Sequence, residues 1–124
     1  MLDNGTAAPD FQLPNQDGEP VRLSDFEGQR VVLYFYPKAG TQDCTLEAQE
    51  FDESWDEFEA RDIQVIGVST DTVEENAEFR DDLNLPFPLL SDVDGDVAGK
   101  YDTFGTTEVD GETFEIAFRN TYLI

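Results

Sequence analysis

Residues 31–47 read VVLYFYPKAGTQDCTLE, and this stretch decides how the chain is organised. Val31 to Tyr36 is an unbroken apolar run rich in β-branched and aromatic side chains, the pattern of a strand buried on both faces. Pro37 ends it, because proline has no N–H to give a sheet ladder. A short loop with Gly40 follows, and Thr41, Asp43 and Cys44 open a predicted helix. Cys44, Ala48, Phe51, Trp55 and Phe58 recur at helical spacing, so the cysteine heads an apolar stripe that faces the sheet. The other face carries Glu47, Glu50, Asp52, Glu53, Asp56, Glu57 and Glu59, a solvated acidic surface.

On the N-terminal side, residues 1–10 read as an arm. Phe11–Leu13 and Val21–Leu23 flank the turn-forming Asn15-Gln16-Asp17-Gly18 and predict a small hairpin. Ser24-Asp25-Phe26-Glu27 has capping-box spacing and predicts a single helical turn before Gly28. On the C-terminal side, Ile63–Val68 is a second buried-type strand. Thr72 with Glu75 offers another capping box, opening a helix to about Asn84 whose apolar stripe is weak. Leu89-Leu90 suits a short strand, Ser91–Asp96 a turn and Val97–Tyr101 a brief helix. Thr107–Val109 and Thr113–Phe118 bracket Asp110-Gly111, a hairpin signal, and Thr121–Ile124 continues as strand. Helices interleaved with apolar strands indicate an α/β fold, a sheet with helices on both sides. There is no repeat, linker or second domain, so residues 1–124 read as one domain. Its last residues, Tyr122-Leu123-Ile124, read as a truncated end, because such a strand normally leads into a further element.

The chain carries 29 acidic against 7 basic residues, a formal net charge of −22. High charge with an apolar content of only 39% is a pattern of disorder, but ten Phe, four Tyr and one Trp supply an aromatic core. Only Lys38 and Lys100 are lysines. An ordered core under an acidic, lysine-poor surface fits a halophilic protein, whose self-repulsion concentrated salt would screen. That surface argues against nucleic acid and anionic membrane as partners. No run approaches the roughly 18 apolar residues of a membrane span and no signal peptide opens the chain, which predicts a cytoplasmic protein.

One cysteine allows no internal disulfide and no cysteine cluster, and the absence of histidine removes Ser-His-Asp, Cys-His and histidine-zinc chemistry. No metal or cofactor is expected. A nucleophile here must be activated without imidazole, and Cys44 at a helix N-terminus has the dipole and backbone N–H groups that favour a thiolate. Arg119, a strand arginine among apolar residues, is the cation that such a thiolate needs, and Thr41 can offer a hydroxyl. The same residues admit plainer readings: Cys44 as core filler, Thr41 as N-cap, Asp43 as a dipole-compensating cap and Arg119 as a surface strand residue.

The segment from Pro37 to Cys44 matches the peroxiredoxin pattern of proline, three residues, threonine or serine, two residues, cysteine. Ala8-Pro9-Asp10-Phe11, Leu23-Ser24-Asp25-Phe26, Val32–Lys38, Cys44–Glu47, Gly67-Val68-Ser69, Phe87–Asp92 and Arg119–Ile124 add to it. From Ala8 to its end the chain resembles the peroxiredoxin Q subfamily, also called bacterioferritin comigratory proteins. The resemblance implies a thioredoxin-like fold, with a central mixed β-sheet flanked by helices, and thiol-dependent reduction of hydrogen peroxide and organic hydroperoxides. It implies that Cys44 is the peroxidatic nucleophile, that Thr41 and Arg119 hold the peroxide oxygens, and that Pro37 shields the thiolate. Glu47 also matches a family position and is expected to orient Arg119.

Three departures stand out. Gln49 occupies the place where many members carry a resolving cysteine, so an external thiol (a thioredoxin-like protein or a small thiol) must resolve the sulfenic acid. Gln42-Asp43 replaces a common proline-glycine, and Asp43 adds like charge beside the thiolate. The family usually continues into a further strand-turn and helix. A monomer or weak dimer is expected. The alternative function is a thioredoxin-fold binding or chaperone-like module with an inert Cys44.

Overall fold

The computed structural model describes residues 8–109, 111–117 and 120–123. In chain order they form β1 (Gln12–Pro14), β2 (Pro20–Arg22), a 3-10 turn (Leu23–Phe26), β3 (Arg30–Phe35), α1 (Gln42–Glu53) and α2 (Trp55–Ala60). Then come β4 (Ile63–Ser69), α3 (Val73–Leu83), β5 (Leu89–Ser91), α4 (Asp96–Lys100), β6 (Phe104–Val109), β7 (Glu112–Ala117) and β8 (Asn120–Leu123). The main sheet has the order β5-β4-β3-β8, with β5, β4 and β3 parallel and β8 antiparallel to β3. The apolar run that begins at Val31 therefore lies in a central strand of a mixed sheet. Two hairpins, β1–β2 and β6–β7, stand apart from its ladder.

Alternation along β3 builds two cores. Val31, Leu33 and Phe35 join Ile66, Val68 and Leu90 on one face, where Phe11 of the N-terminal segment and Val97, Ala98 and Tyr101 of the α4 region cover them. Val32, Tyr34 and Tyr36 join Val65 and Leu89 on the other, covered by Cys44 and Ala48 of α1 and Phe79 of α3. Both faces of the strand are thus buried, and this is why its sequence shows no polar alternation. Gly67 is paired with Tyr34 and with Leu89. A Cβ there would lie 2.8 Å from Leu89 Cδ2 and 2.9 Å from Tyr34 Cζ, so the tyrosine that stacks on Phe51 requires glycine beneath it.

Several expectations shift by a few residues. The helix of the cysteine stripe breaks at Ser54, with φ −94° and ψ 4°, into α1 and α2, although Phe51, Trp55 and Phe58 still pack on the same core. Serine stabilises such breaks because it competes with the helix for backbone partners. The expected capping box at Ser24 does not form. The turn starts at Leu23, the Arg22 N–H donates to Asp25 at 3.0 Å, and the Ser24 N–H goes to Asp10 at 3.0 Å. The Thr72–Glu75 box does form, with both hydrogen bonds in place. Asn84 closes α3 in the left-handed region, at φ 51°.

Candidate active site

The site grows from the carboxyl end of β3. The Tyr36 N–H still donates to Val68 O at 3.0 Å, and Pro37 then stops the ladder, as it has no N–H to continue it. The chain turns over Lys38–Thr41, where Lys38 O accepts the Thr41 N–H at 3.5 Å and the Thr41 hydroxyl at 2.8 Å. Gly40 is the third residue of this turn at φ 82°, the left-handed value that a type II turn demands.

Thr41 occupies the N-cap of α1, and its side chain makes no capping bond. The first intrahelical bond, from the Thr45 N–H to Thr41 O, is 2.9 Å long. The N–H groups of the preceding turn therefore point out of the helix without the oxygen that a threonine cap normally supplies. Cys44, the third helical residue, is only 2% exposed and packs in the core cluster with Val32, Tyr36, Ala48 and Val65. Its burial agrees with the apolar-stripe reading, and its position in the first turn agrees with the reactive one. Pro37, just after β3, is half-buried, and Glu47, also half-buried, lies further along α1. Arg119 falls outside the described residues.

Next to this turn lies a buried polar cluster. The Tyr36 hydroxyl donates to Asn76 Oδ1 at 2.5 Å, and the Asn76 amide donates to Ser91 Oγ at 3.0 Å and Ser69 Oγ at 3.3 Å. Ser69 Oγ donates to Asp71 Oδ2 at 2.8 Å. Burial pushes the Tyr36 phenol above its ordinary range, the Ser69 hydrogen bond works against the shift, and the negative charge of Asp71 adds to it. Asp71 also accepts the Ala39 N–H at 2.7 Å and pairs with Lys38 Nζ at 2.9 Å. Lys38 reaches Glu75 at 2.9 Å as well, and this hydrogen bond is the largest cause of a raised Lys38 pKa.

The structure thus places Thr41 and Cys44 at one helix start, with Pro37 at the end of the strand that leads into the turn before it. Lys38, Asp71, Asn76 and Tyr36 were not among the residues expected from sequence. Two signals pointed to them: Lys38 is one of two lysines in an acidic chain, and α3 has a weak stripe. Asn76 accounts for the second signal, since a core-facing position of α3 is polar and fully buried.

Cys44 thus stands in the first turn of a helix that starts beyond the carboxyl end of a central strand in a mixed, helix-covered sheet. Residues 4–124 match the model of the AhpC/TSA family. The chain is 42% identical to peroxiredoxin Bcp of Escherichia coli K12 over 123 residues, covering 99% of this chain and 79% of that protein. It is 40% identical to peroxiredoxin Bcp of Bacillus subtilis, covering 99% and 78%. Peroxidoxin BcpB of Mycobacterium tuberculosis superimposes with a TM-score of 0.88 at 36% identity, over 100% of this chain and 79% of that one. The bacterioferritin comigratory protein of Xanthomonas campestris, studied for its alkyl peroxide reduction activity, gives 0.84 at 29%, over 92% and 73%.

The chain belongs to the AhpC/TSA family, and within it to the Bcp/PrxQ peroxiredoxins. Its activity is the thiol-dependent reduction of peroxides, and its single cysteine, Cys44, fits the one-cysteine type. Among the described residues no helix is long and apolar enough to cross a membrane.

Proposed function

We propose that Cys44 is the peroxidatic nucleophile, with Thr41 and Arg119 holding the peroxide, Pro37 shielding the thiolate and Glu47 orienting Arg119. The observation that carries this reading is the uncapped start of α1, where Cys44 sits in the first turn and the Thr41 hydroxyl is turned away from capping. The thiolate attacks the distal peroxide oxygen; the S–O bond forms as the O–O bond breaks. The other oxygen leaves as alkoxide or hydroxide and takes from solvent the proton that the thiol released on ionising, giving alcohol or water, and Cys44, which keeps the transferred O–H, becomes a sulfenic acid. The Thr41 hydroxyl donates its hydrogen bond to Lys38 O, so its lone pairs are left to accept the O–H of an incoming hydroperoxide. The Arg119 guanidinium and the helix dipole stabilise charge developing on the leaving oxygen.

With Gln49 where a resolving cysteine stands in many members, an external thiol attacks the sulfenic sulfur and expels water. A second thiol then releases Cys44. Hydrogen peroxide and organic hydroperoxides are the substrates, and a thioredoxin-like protein or a small thiol is the reductant. The acidic, lysine-poor surface supports a cytoplasmic, salt-adapted protein whose 124 residues act as one domain, monomeric or weakly dimeric.

The test is the rate at which low micromolar hydrogen peroxide oxidises Cys44 in high salt, followed by intact mass. Fast stoichiometric addition of one oxygen is expected, lost in Cys44→Ser and slowed by roughly a hundredfold or more in Arg119→Ala. Oxidation of folded protein no faster than that of free cysteine would leave a peroxiredoxin-shaped module with an inert thiol.

A further inference from the structure

Among the described residues, Asp71 binds the turn Lys38–Thr41 from the body of the protein at two points. Its Oδ2 accepts the Ala39 N–H at 2.7 Å, and its Oδ1 pairs with Lys38 Nζ at 2.9 Å. The side chain is 2% exposed, and Oδ2 takes a further hydrogen bond from Ser69 at 2.8 Å, at the end of β4. Lys38, 54% exposed, closes the arrangement from outside and reaches on to Glu75 in the first turn of α3. One of two lysines in a chain of net charge −22 is thus held between two carboxylates, within the segment that leads into Cys44.

The mechanical consequence follows from covalent geometry. Lys38 O receives both the N–H and the hydroxyl of Thr41, so whatever fixes the Lys38–Ala39 peptide also fixes Thr41. Thr41 is the N-cap of α1, and Cys44 follows within its first turn. A buried carboxylate with a charged partner and two neutral donors is a stiff anchor, because losing any of these bonds would leave a desolvated charge.

We propose that Asp71 is the positioning residue of the peroxide site: it holds the Lys38–Thr41 turn in the reactive conformation, with Lys38 as the outer half of the same clamp. The proposal rests on the reading that Cys44 and Thr41 meet the peroxide. Misplacement of reacting groups by about 1 Å costs on the order of a hundredfold in rate. Asp71→Ala loosens the turn; Asp71→Asn keeps an oxygen for the Ala39 N–H and loses only the ion pair.

Two rates measured on each folded variant test the clamp: oxidation of Cys44 by hydrogen peroxide, and its alkylation by iodoacetamide across a pH range. Alkylation needs only access to the thiolate, whereas peroxide reduction needs the aligned turn. Asp71→Ala is expected to slow peroxide oxidation by roughly ten- to a hundredfold while alkylation speeds up. Asp71→Asn should retain most of the peroxide rate. Lys38→Met, at an exposed position that leaves the core intact, should shift both rates in the same directions by less, and Lys38→Arg should restore them. Asp71→Ala and Lys38→Met variants that keep both rates would overturn the clamp. Should the unsubstituted chain itself fail to react with peroxide, the peroxidase reading falls instead, and unchanged alkylation in the same variants would then sink the clamp independently.

Discussion

Thr41 and Thr72 stand at the N-caps of α1 and α3 with almost the same backbone, φ −74° and ψ 157° against φ −72° and ψ 165°. Thr72 accepts the Glu75 N–H at 3.2 Å, and Glu75 returns the bond to the Thr72 N–H at 3.0 Å. Thr41 turns its hydroxyl back to Lys38 O and leaves its helix uncapped. One helix start is closed by its own side chains and the other is open beside the only cysteine. The N–H groups of a helix start that its cap residue leaves aside are met by water, by other groups or by an anionic ligand. On the proposed function, the two threonines differ in role, stability at α3 and chemistry at α1. The closed start also serves the open one, because Glu75 holds Lys38 at 2.9 Å.

Removing each hydroxyl in turn separates the two helix starts. Thr41→Val is expected to lower the rate of Cys44 oxidation by about 10²–10³-fold, with Thr41→Ser restoring most of it. Its stability should change by less than about 0.5 kcal/mol, because no capping bond is lost. Rapid-mixing oxidation and urea unfolding of the same preparations give both quantities. A Thr41→Val protein that loses stability and keeps its rate would make Thr41 an ordinary cap.

Thr72→Ala should do the reverse. Loss of the cap costs about 1 kcal/mol, read as a lower urea midpoint, while the peroxide rate stays close to that of the unsubstituted chain. The Thr72 N–H can still donate to Glu75 in that variant, so the link to Lys38 survives. A large fall in peroxide rate at unchanged stability would mean that the two helix starts are not separable in role.

Pattern and turn chemistry made much of this legible in sequence. The apolar run at Val31–Tyr36, the stripe from Cys44 and the Thr72–Glu75 box each translate directly into a local hydrogen-bonding or burial preference. The break at Ser54 was not legible, since the stripe continues in phase across it. Nor was the polar cluster. Tyr36, Asn76, Ser69 and Ser91 come from four separate segments and meet only when β3, β4, β5 and α3 are assembled. Position could suggest that Thr41 caps α1; the direction of its hydroxyl is set by the Lys38 carbonyl, and hence by the turn that Gly40 permits.

The smallest expected effect is acid sensitivity at the closed helix start. The Lys38 hydrogen bond, followed by the Thr72 N–H, lowers the Glu75 carboxyl from its ordinary 4.5 to about 2. A folded-state pKa below the unfolded one contributes stability that is full above the unfolded value and is lost as pH falls through the folded one. The contribution of Glu75 should therefore fade between about pH 4.5 and pH 2. Its side chain is 46% exposed, so solvent and salt screen the pair, and the effect should shrink further in molar salt. Total stability is a poor readout, because protonating other carboxylates of a chain at −22 relieves self-repulsion over the same range and acts with the opposite sign. The difference between the unsubstituted chain and Glu75→Gln isolates the group. Urea midpoints of the two should converge on acidification below pH 4.5 at low salt, and midpoints that run parallel throughout would mean that Glu75 is not held by Lys38 in solution.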